Sequence, residues 1–239
     1  MTETSPLSAE QQAWIVTIDG PAGAGKSSIA RRLAERMEFG FLDTGAMYRA
    51  VALAMLRAGI DNDAVGIDAV GLATLAAEAS IDQRGGRTFL DGEDVSEAIR
   101  TNAVSEATRH AADNPDVRGL LVQRQREIAA GRRIVCEGRD QGSVVFPASP
   151  CKIYLTATAE ERARRRQLEL AEREEFVEYG LLLQQINQRD AQDRSRAVGP
   201  LVKPDDAIEV HTDGLNIEQV VDRLEAIVRA RIDLSGGFA

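Results

Sequence analysis

The chain predicts an α/β domain built on a five-stranded parallel sheet flanked by helices, and three observations lead there. Five short apolar runs recur, at Trp14 to Ile18, Phe39 to Leu42, Ile134 to Cys136, Ile153 to Leu155 and Ala207 to Val210, and helix-like segments separate most of them. Strands alternating with helices pair in parallel, because each crossover helix returns the chain to the same end of the sheet. The octapeptide Gly20-Pro21-Ala22-Gly23-Ala24-Gly25-Lys26-Ser27 falls between the first run and a helix-like stretch beginning near Ser28. The last segment repeats Ile217, Val220, Val221, Leu224, Ile227, Val228 and Ile232 at helical spacing behind an Asn216 cap, as a helix covering one sheet face should.

Length and composition suit that fold. The 239 residues, 44% of them hydrophobic, are enough for one α/β domain with an elaboration, or for two small domains, with ample material for a core. A formal net charge of −9 argues against nonspecific binding of nucleic acid or a membrane surface, both of which depend on an excess of Lys and Arg. Any anion site must therefore be local. Cys136 and Cys151 are the two cysteines, and the sequence shows no secretory apolar region and no apolar run approaching ~18 residues. Reduced thiols in a cytoplasmic protein are the simplest reading, a structural disulfide is not expected, and the protein is expected to be a monomer.

The strand and helix pattern divides the chain. Residues 1–13 are polar and unpatterned and read as a frayed leader. A single domain over 14–232 has its core at 14–58, 102–159 and 204–232, with a tail at 233–239. Two regions interrupt the alternation. Residues 59–101 are too long for a crossover and contain a hairpin signal around Gly85-Gly86, which suggests an inserted subdomain. Residues 160–203 are rich in charge, break at Glu178-Tyr179-Gly180 between two helical stretches, and read as a movable lid. Trp14 is read as a packing residue of the first strand. Leu234-Ser235-Gly236-Gly237 copies the opening of the transporter-ATPase signature but has no helix to follow, so no role is assigned to it.

The octapeptide fits the needs of a triphosphate. Glycines without Cβ let the backbone wrap an anion, with amides and the next helix's N-terminus pointing inward. Lys26 can reach the β and γ phosphates, and the Ser27 hydroxyl is placed to ligate Mg²⁺ together with phosphate oxygens and water. A Gly-rich strand-to-helix turn with an incidental lysine is the bland alternative. The strand before the motif and the helix after it favour a bound nucleotide.

Arginines supply candidates for the other half of a site. Arg189, Asp193 and Arg196 occur at spacings that place all three on a narrow stripe of one helix, where they could hold a phosphate and a sugar hydroxyl together. The competing reading is an exposed helix braced by the i,i+4 ion pairs Arg189 with Asp193 and Asp190 with Arg194. Asp43-Thr44-Gly45-Ala46-Met47-Tyr48-Arg49 follows the second strand and Glu137-Gly138-Arg139-Asp140 the third. Arginines at carboxyl strand ends face the crevice and can grip a phosphate, unless they are simply loop arginines in solvent.

Together these residues closely resemble the bacterial cytidylate kinases, a family of nucleoside monophosphate kinases, from about residue 14 to residue 232. The resemblance is carried by IDGPAGAGKS at 18–27, LDTGAMYR at 42–49, LDGEDVSEAIRT at 90–101, EGRDQGSVVFP at 137–147 and RDAQDRSRAVGPL at 189–201, in family order. It implies the P-loop nucleoside monophosphate kinase fold, with a large monophosphate-binding insert and a short lid, and transfer of phosphoryl from ATP to CMP or dCMP with Mg²⁺. It further implies that Gly20, Pro21, Ala22, Gly23, Ala24, Gly25, Lys26, Ser27 and Ser28 hold ATP phosphates, while Arg49, Arg139 and Arg196 grip the monophosphate. Asp193, with Arg189 beside it, would bind the ribose hydroxyls, and Thr44 stands where the family has a serine near the acceptor. Arg118 and Asp140 match positions that read cytosine, whose N4 amino group donates while O2 and N3 accept. The third base contact stays unassigned, because Arg109, between Thr108 and His110, occupies the position where a small polar residue belongs.

Lys26, Arg139, Arg189 and Arg196 would stabilise the transferring charge, and no general base is required of an acceptor that is already anionic. In the run Arg162, Arg164, Arg165 and Arg166, three members share a face. Either one closes over the phosphoryl group or the run is a solvated face paired with Glu161, Glu169 and Glu172. His110 and His211 are read as ordinary surface residues. The nearest competitor is another small-metabolite or monophosphate kinase on the same core. A nucleotide-dependent switch would need a guanine-reading N-K-x-D segment, which the chain lacks.

Overall fold

The computed structural model describes residues 14–60, 69–172 and 174–234. The leader at 1–13, part of the 59–101 insert and Ser235-Gly236-Gly237 of the transporter-like tetrapeptide lie outside the described residues. Compact units divide at Phe41/Leu42 and again at Ile128/Ala129, so the chain leaves one unit, completes the second and returns.

The five predicted strands are those of the central sheet: β1 (Trp14–Asp19), β2 (Gly40–Asp43), β6 (Arg133–Gly138), β7 (Cys151–Thr156) and β8 (Ile208–His211), in the order β2-β6-β1-β7-β8. β1 pairs in parallel with β6 on one side, Trp14 opposite Arg133, and with β7 on the other, Val16 opposite Cys151. Val16, Ile18, Val135, Ile153, Leu155 and Val210 are buried in one apolar core. The helices α1 (Lys26–Met37) and α8 (Ile217–Leu234) contribute Ile29, Leu33, Val220, Val221, Leu224, Val228 and Ile232 to the same core. Asn216 caps α8 as read from the sequence. Its Oδ1 accepts from Gln219 N at 2.9 Å while Gln219 Oε1 accepts from Asn216 N at 3.0 Å, a reciprocal capping box. Ile217, the first residue of α8, departs from the predicted buried stripe and is exposed.

In the same unit α6 (Ala159–Ala171) and α7 (Tyr179–Ser195) pack through Ala163, Leu170 and Leu182. The break between them comes earlier than the sequence suggested. Glu174 takes a left-handed φ of 61° while Glu175 N bonds back to Leu170 O, ending α6, and Tyr179-Gly180 already belongs to α7. No helix among the described residues is long and apolar enough to cross a membrane.

The second unit comprises α2 (Thr44–Arg57), α3 (Ala69–Glu78), the antiparallel strands β3 (Ile81–Arg84), β4 (Arg87–Leu90) and β5 (Glu93–Asp94), α4 (Asn102–Asp113) and most of α5 (Pro115–Ala129). The predicted hairpin turns at Gly85-Gly86, whose φ values of 57° and 72° are those of a type I′ turn. Gln83 ties it to the start of α2, its Oε1 accepting from Asp43 N at 2.9 Å and its Nε2 donating to Asp43 O at 2.6 Å.

The carboxyl end of β1 carries a feature that composition and spacing do not show. Asp19 is buried, and its carboxylate accepts from Gln141 N at 2.8 Å and Gly142 N at 2.7 Å, fastening the π-helical turn Gln141–Val145 that follows β6. Burial pushes the Asp19 carboxyl up to about 6, against the opposing pull of those two amides. A folded-state pKa above the unfolded value of 3.8 means that the native state holds this proton more tightly. Its stabilisation is complete below about 4 and is lost as pH rises through about 6.

Two outcomes follow from this packing. Leu224→Ala, which empties a fully buried site beneath the sheet, is expected to cost about 2–5 kcal/mol in urea unfolding. In thermal melts of the nucleotide-free protein, Asp19→Asn is expected to flatten the fall in stability between pH of about 4 and about 6; an unchanged profile would remove Asp19 as its source.

Candidate active site

The phosphate loop connects β1 to α1 along a path open only to glycine at its entry. Gly20 has φ 149°, and a Cβ placed there would lie 1.9 Å from Leu155 O of β7. The loop ends at Gly25, φ 81°, and α1 begins at Lys26, two residues before the start expected from sequence. The first amides of α1 are therefore free of intrahelical partners at the place where phosphate is expected. Lys26 is buried, and its Nζ donates to Pro21 O at 2.8 Å within the loop. Ser27 Oγ donates to Glu137 Oε1 at 2.6 Å, bringing the loop hydroxyl to the carboxylate at the end of β6.

Beyond Glu137, the chain delivers Arg139 to Asp193. Arg139 Nε donates to Asp193 Oδ2 at 2.9 Å, and Arg196 Nη2 lies 2.9 Å from Asp193 Oδ1. Burial works to raise the Asp193 carboxyl, but the charges of Arg139 and Arg196, joined by Arg189, outweigh it and hold the group below the usual range. Arg189 and Asp193 stand on α7 as predicted. Arg196 does not: it is the residue after the last helical turn, with ψ 135°, because Leu201 N folds back onto Asp193 O at 2.8 Å and ends the helix. It reaches Asp193 from the departing segment, so the three-residue helical stripe is corrected to two residues and a cap. Asp140, next to Arg139, is buried where the π-helical turn starts.

These charges converge on Lys26. Burial, then the positive charge of Arg139, pushes its ammonium down to about 7, with Glu137 and Asp19 acting in the opposite sense and Arg189 adding to the repulsion. An anion at the loop would restore the protonated form, so phosphate binding and Lys26 charging are linked.

The arginine run of α6 divides. Arg164 and Arg165 pair with Glu161, and Arg166 pairs with Glu169, the solvated-face reading. Arg162 does not belong to that solvated face. It is 3% exposed and its guanidinium meets Ala157 O, Ala22 O and both carboxylate oxygens of Asp190. The i,i+4 pair foreseen for Asp190 and Arg194 is long, at 3.9 Å.

In the second unit Thr44 is buried at the first turn of α2, behind an Asp43 cap that accepts from Ala46 N at 2.9 Å. Arg49 Nη1 donates to Ile99 O at 3.3 Å, and buried Arg118 lies 5.6 Å over the ring of Tyr48, the residue before Arg49. Thr108 gives its hydroxyl to Val104 O of its own helix, and exposed Arg109 contacts His110 at 3.4 Å. The sequence reading named Arg162 only as one of a run of four arginines, and gave no role to Asp19 or Glu137 although it quoted them within IDGPAGAGKS and EGRD. A carboxylate at each of two neighbouring strand ends was the available signal for Asp19 and Glu137.

A family model described as cytidylate kinase matches residues 16–230. The cytidylate kinase of Rhodopirellula baltica is 49% identical over 221 residues, covering 92% of this chain and 95% of that protein. That of Pelotomaculum thermopropionicum is 48% identical over 220 residues, covering 90% and 96%. Among solved structures, a gluconokinase from Sinorhizobium meliloti 1021 superposes with a TM-score of 0.50 at 14% identity, over 94% of this chain and 97% of its own, a likeness of fold alone. With its phosphate loop, its carboxylate-bridged arginines and nearly its whole length matched, the chain belongs to the cytidylate kinase family.

Proposed function

We propose that the protein transfers the γ-phosphoryl group of ATP to CMP or dCMP, giving ADP and CDP or dCDP. The observation that carries this reading is geometric. Ser27 of the phosphate loop bonds Glu137 at 2.6 Å, and Arg139, two residues on, meets Asp193 at 2.9 Å beside Arg196, so groups read as donor and acceptor ligands gather in one small region. A phosphoryl group in flight spreads charge over its equatorial oxygens, and cations fixed around it stabilise that charge without reorganising.

In this reading an oxygen of the CMP phosphate forms a bond to the γ-phosphorus as the bond to the β–γ bridging oxygen breaks, and ADP leaves with the electron pair. The nucleophile is already anionic, so the chain's residues position and neutralise rather than remove a proton. Lys26 and the α1 amides hold the triphosphate. Arg139 and Arg196, held by Asp193, orient the acceptor phosphate, with Arg49 contributing to the same anion and Arg189 and Asp193 to the ribose. Arg118 and Asp140 read the cytosine, and Thr44 stays near the acceptor. Ser27 and Glu137 offer hard oxygen ligands 2.6 Å apart, a donor set suited to Mg²⁺ and its water. The metal, when bound, neutralises the β and γ oxygens. The reading includes an insert at about 59–101 for the acceptor, a lid at 160–203 and a monomer in the cytoplasm, the last supported by two buried free thiols.

ADP release measured with CMP, dCMP, UMP, AMP, GMP and shikimate tests the acceptor; the expected order places CMP and dCMP first, and any other preferred acceptor refutes the assignment. Arg139→Ala removes a charged hydrogen-bond donor worth about 1.5–3 kcal/mol, and steady-state kinetics should show kcat/KM lowered by roughly 10- to 150-fold.

A further inference from the structure

None of the steps above uses Arg162, yet it is the most completely enclosed arginine of α6. Its Nε donates to Ala157 O at 3.0 Å, one Nη donates both to Ala22 O and to Asp190 Oδ1 at 3.0 Å, and the other reaches Asp190 Oδ2 at 2.6 Å. Its stem lies against the phosphate loop, where a Cβ added to Gly23 would meet Arg162 Cβ at 3.4 Å. Ala22 belongs to the loop read as the donor site. Asp190 sits on α7 directly after Arg189 and one turn before Asp193, two residues of the acceptor set.

A bridge of this kind is not needed to hold α6 against α7, which have their own apolar contact through Ala163, Leu170 and Leu182. Nor is it explained by stability, since a buried ion pair can often be replaced by apolar side chains of similar size without loss. Only a guanidinium fork can grip a carboxylate bidentately and reach a third acceptor, and a lysine in its place could not.

The geometry points to Arg162 as a positioning residue that couples the two halves of the transfer site. By holding Ala22 and Asp190 in one bridge, it makes the placement of the phosphate loop and that of Arg189 and Asp193 a single setting. Occupation of the loop by a nucleoside triphosphate then favours the acceptor-binding arrangement of α7, and acceptor binding favours the loop in return, as linkage requires. This rests on the reading of Arg189 and Asp193 as acceptor ligands.

Calorimetric titration of CMP into the full chain, with and without a magnesium complex of a non-hydrolysable ATP analogue, tests it. In the wild type the analogue is expected to tighten CMP by about fivefold or more. Arg162→Met/Asp190→Leu removes both charges together and is expected to melt near the wild type, still bind CMP, and lose that enhancement. Arg162→Lys keeps a charge beside Asp190 but not the fork, and its enhancement should fall below that of the wild type; it decides the matter if the double variant does not fold. A folded double variant, or Arg162→Lys, with the full wild-type enhancement overturns the coupling role, as does a wild type whose CMP affinity ignores the analogue. A wild type that binds no CMP in either state overturns instead the acceptor reading beneath it.

Discussion

Cations gathered at one place in a fold repel one another unless counter-charge is folded in among them. The first unit meets this constraint with buried carboxylates. Asp193 stands between Arg139 and Arg196 and remains ionised despite its burial, because two guanidinium groups outweigh the loss of water. Glu137 and Asp19 act on Lys26 in the same way without fully offsetting Arg139, Arg189 and burial, which is why the lysine stays depressed. The protein thus folds with its positive charge partly compensated and partly in reserve. That reserve gives an incoming polyphosphate an electrostatic advantage over a neutral metabolite.

The sheet makes the arrangement rigid. β1 is central, and its carboxyl end leads directly into the loop, so the loop's first residue is fixed by β7 through the contact that excludes any side chain at Gly20. Its other neighbour, β6, ends in Glu137-Gly138 and passes directly to Arg139. The two amides after Arg139 and Asp140 are tied to Asp19 of β1, so the loop and the first arginine hang from adjacent strand ends. Small displacements that would misplace a phosphate by an ångström are resisted by hydrogen bonds rather than by loop stiffness.

What could be read from the sequence was what depends on local pattern. The five sheet strands follow from short apolar runs, the type I′ hairpin from Gly85-Gly86, the α8 cap from Asn216, and the phosphate loop from its spacing. The misses are tertiary. Arg196 was placed on a helix because its spacing fits one, but Leu201 N closes the helix at Ser195 by a bond that no periodicity foretells. Arg162 was read only as one of four arginines in a run, since a run does not reveal which member meets a carboxylate 28 positions away. Asp19 entered only as a letter of the motif at 18–27. Its importance lies in amides from a segment more than a hundred residues later.

The division of the chain at Phe41/Leu42 and Ile128/Ala129 bears on how the protein is made. The second unit is one uninterrupted stretch. The first is split around it, and β1 cannot pair until Arg133 and its neighbours have been synthesised. During translation the apolar edges of β1 must therefore wait while the whole intervening unit emerges. Non-local parallel pairing of this kind is slow to form and exposes strand edges in the meantime. The phosphate loop is thus made before the intervening unit and secured only after it, leaving the nascent chain, rather than the finished enzyme, as the stage most open to aggregation.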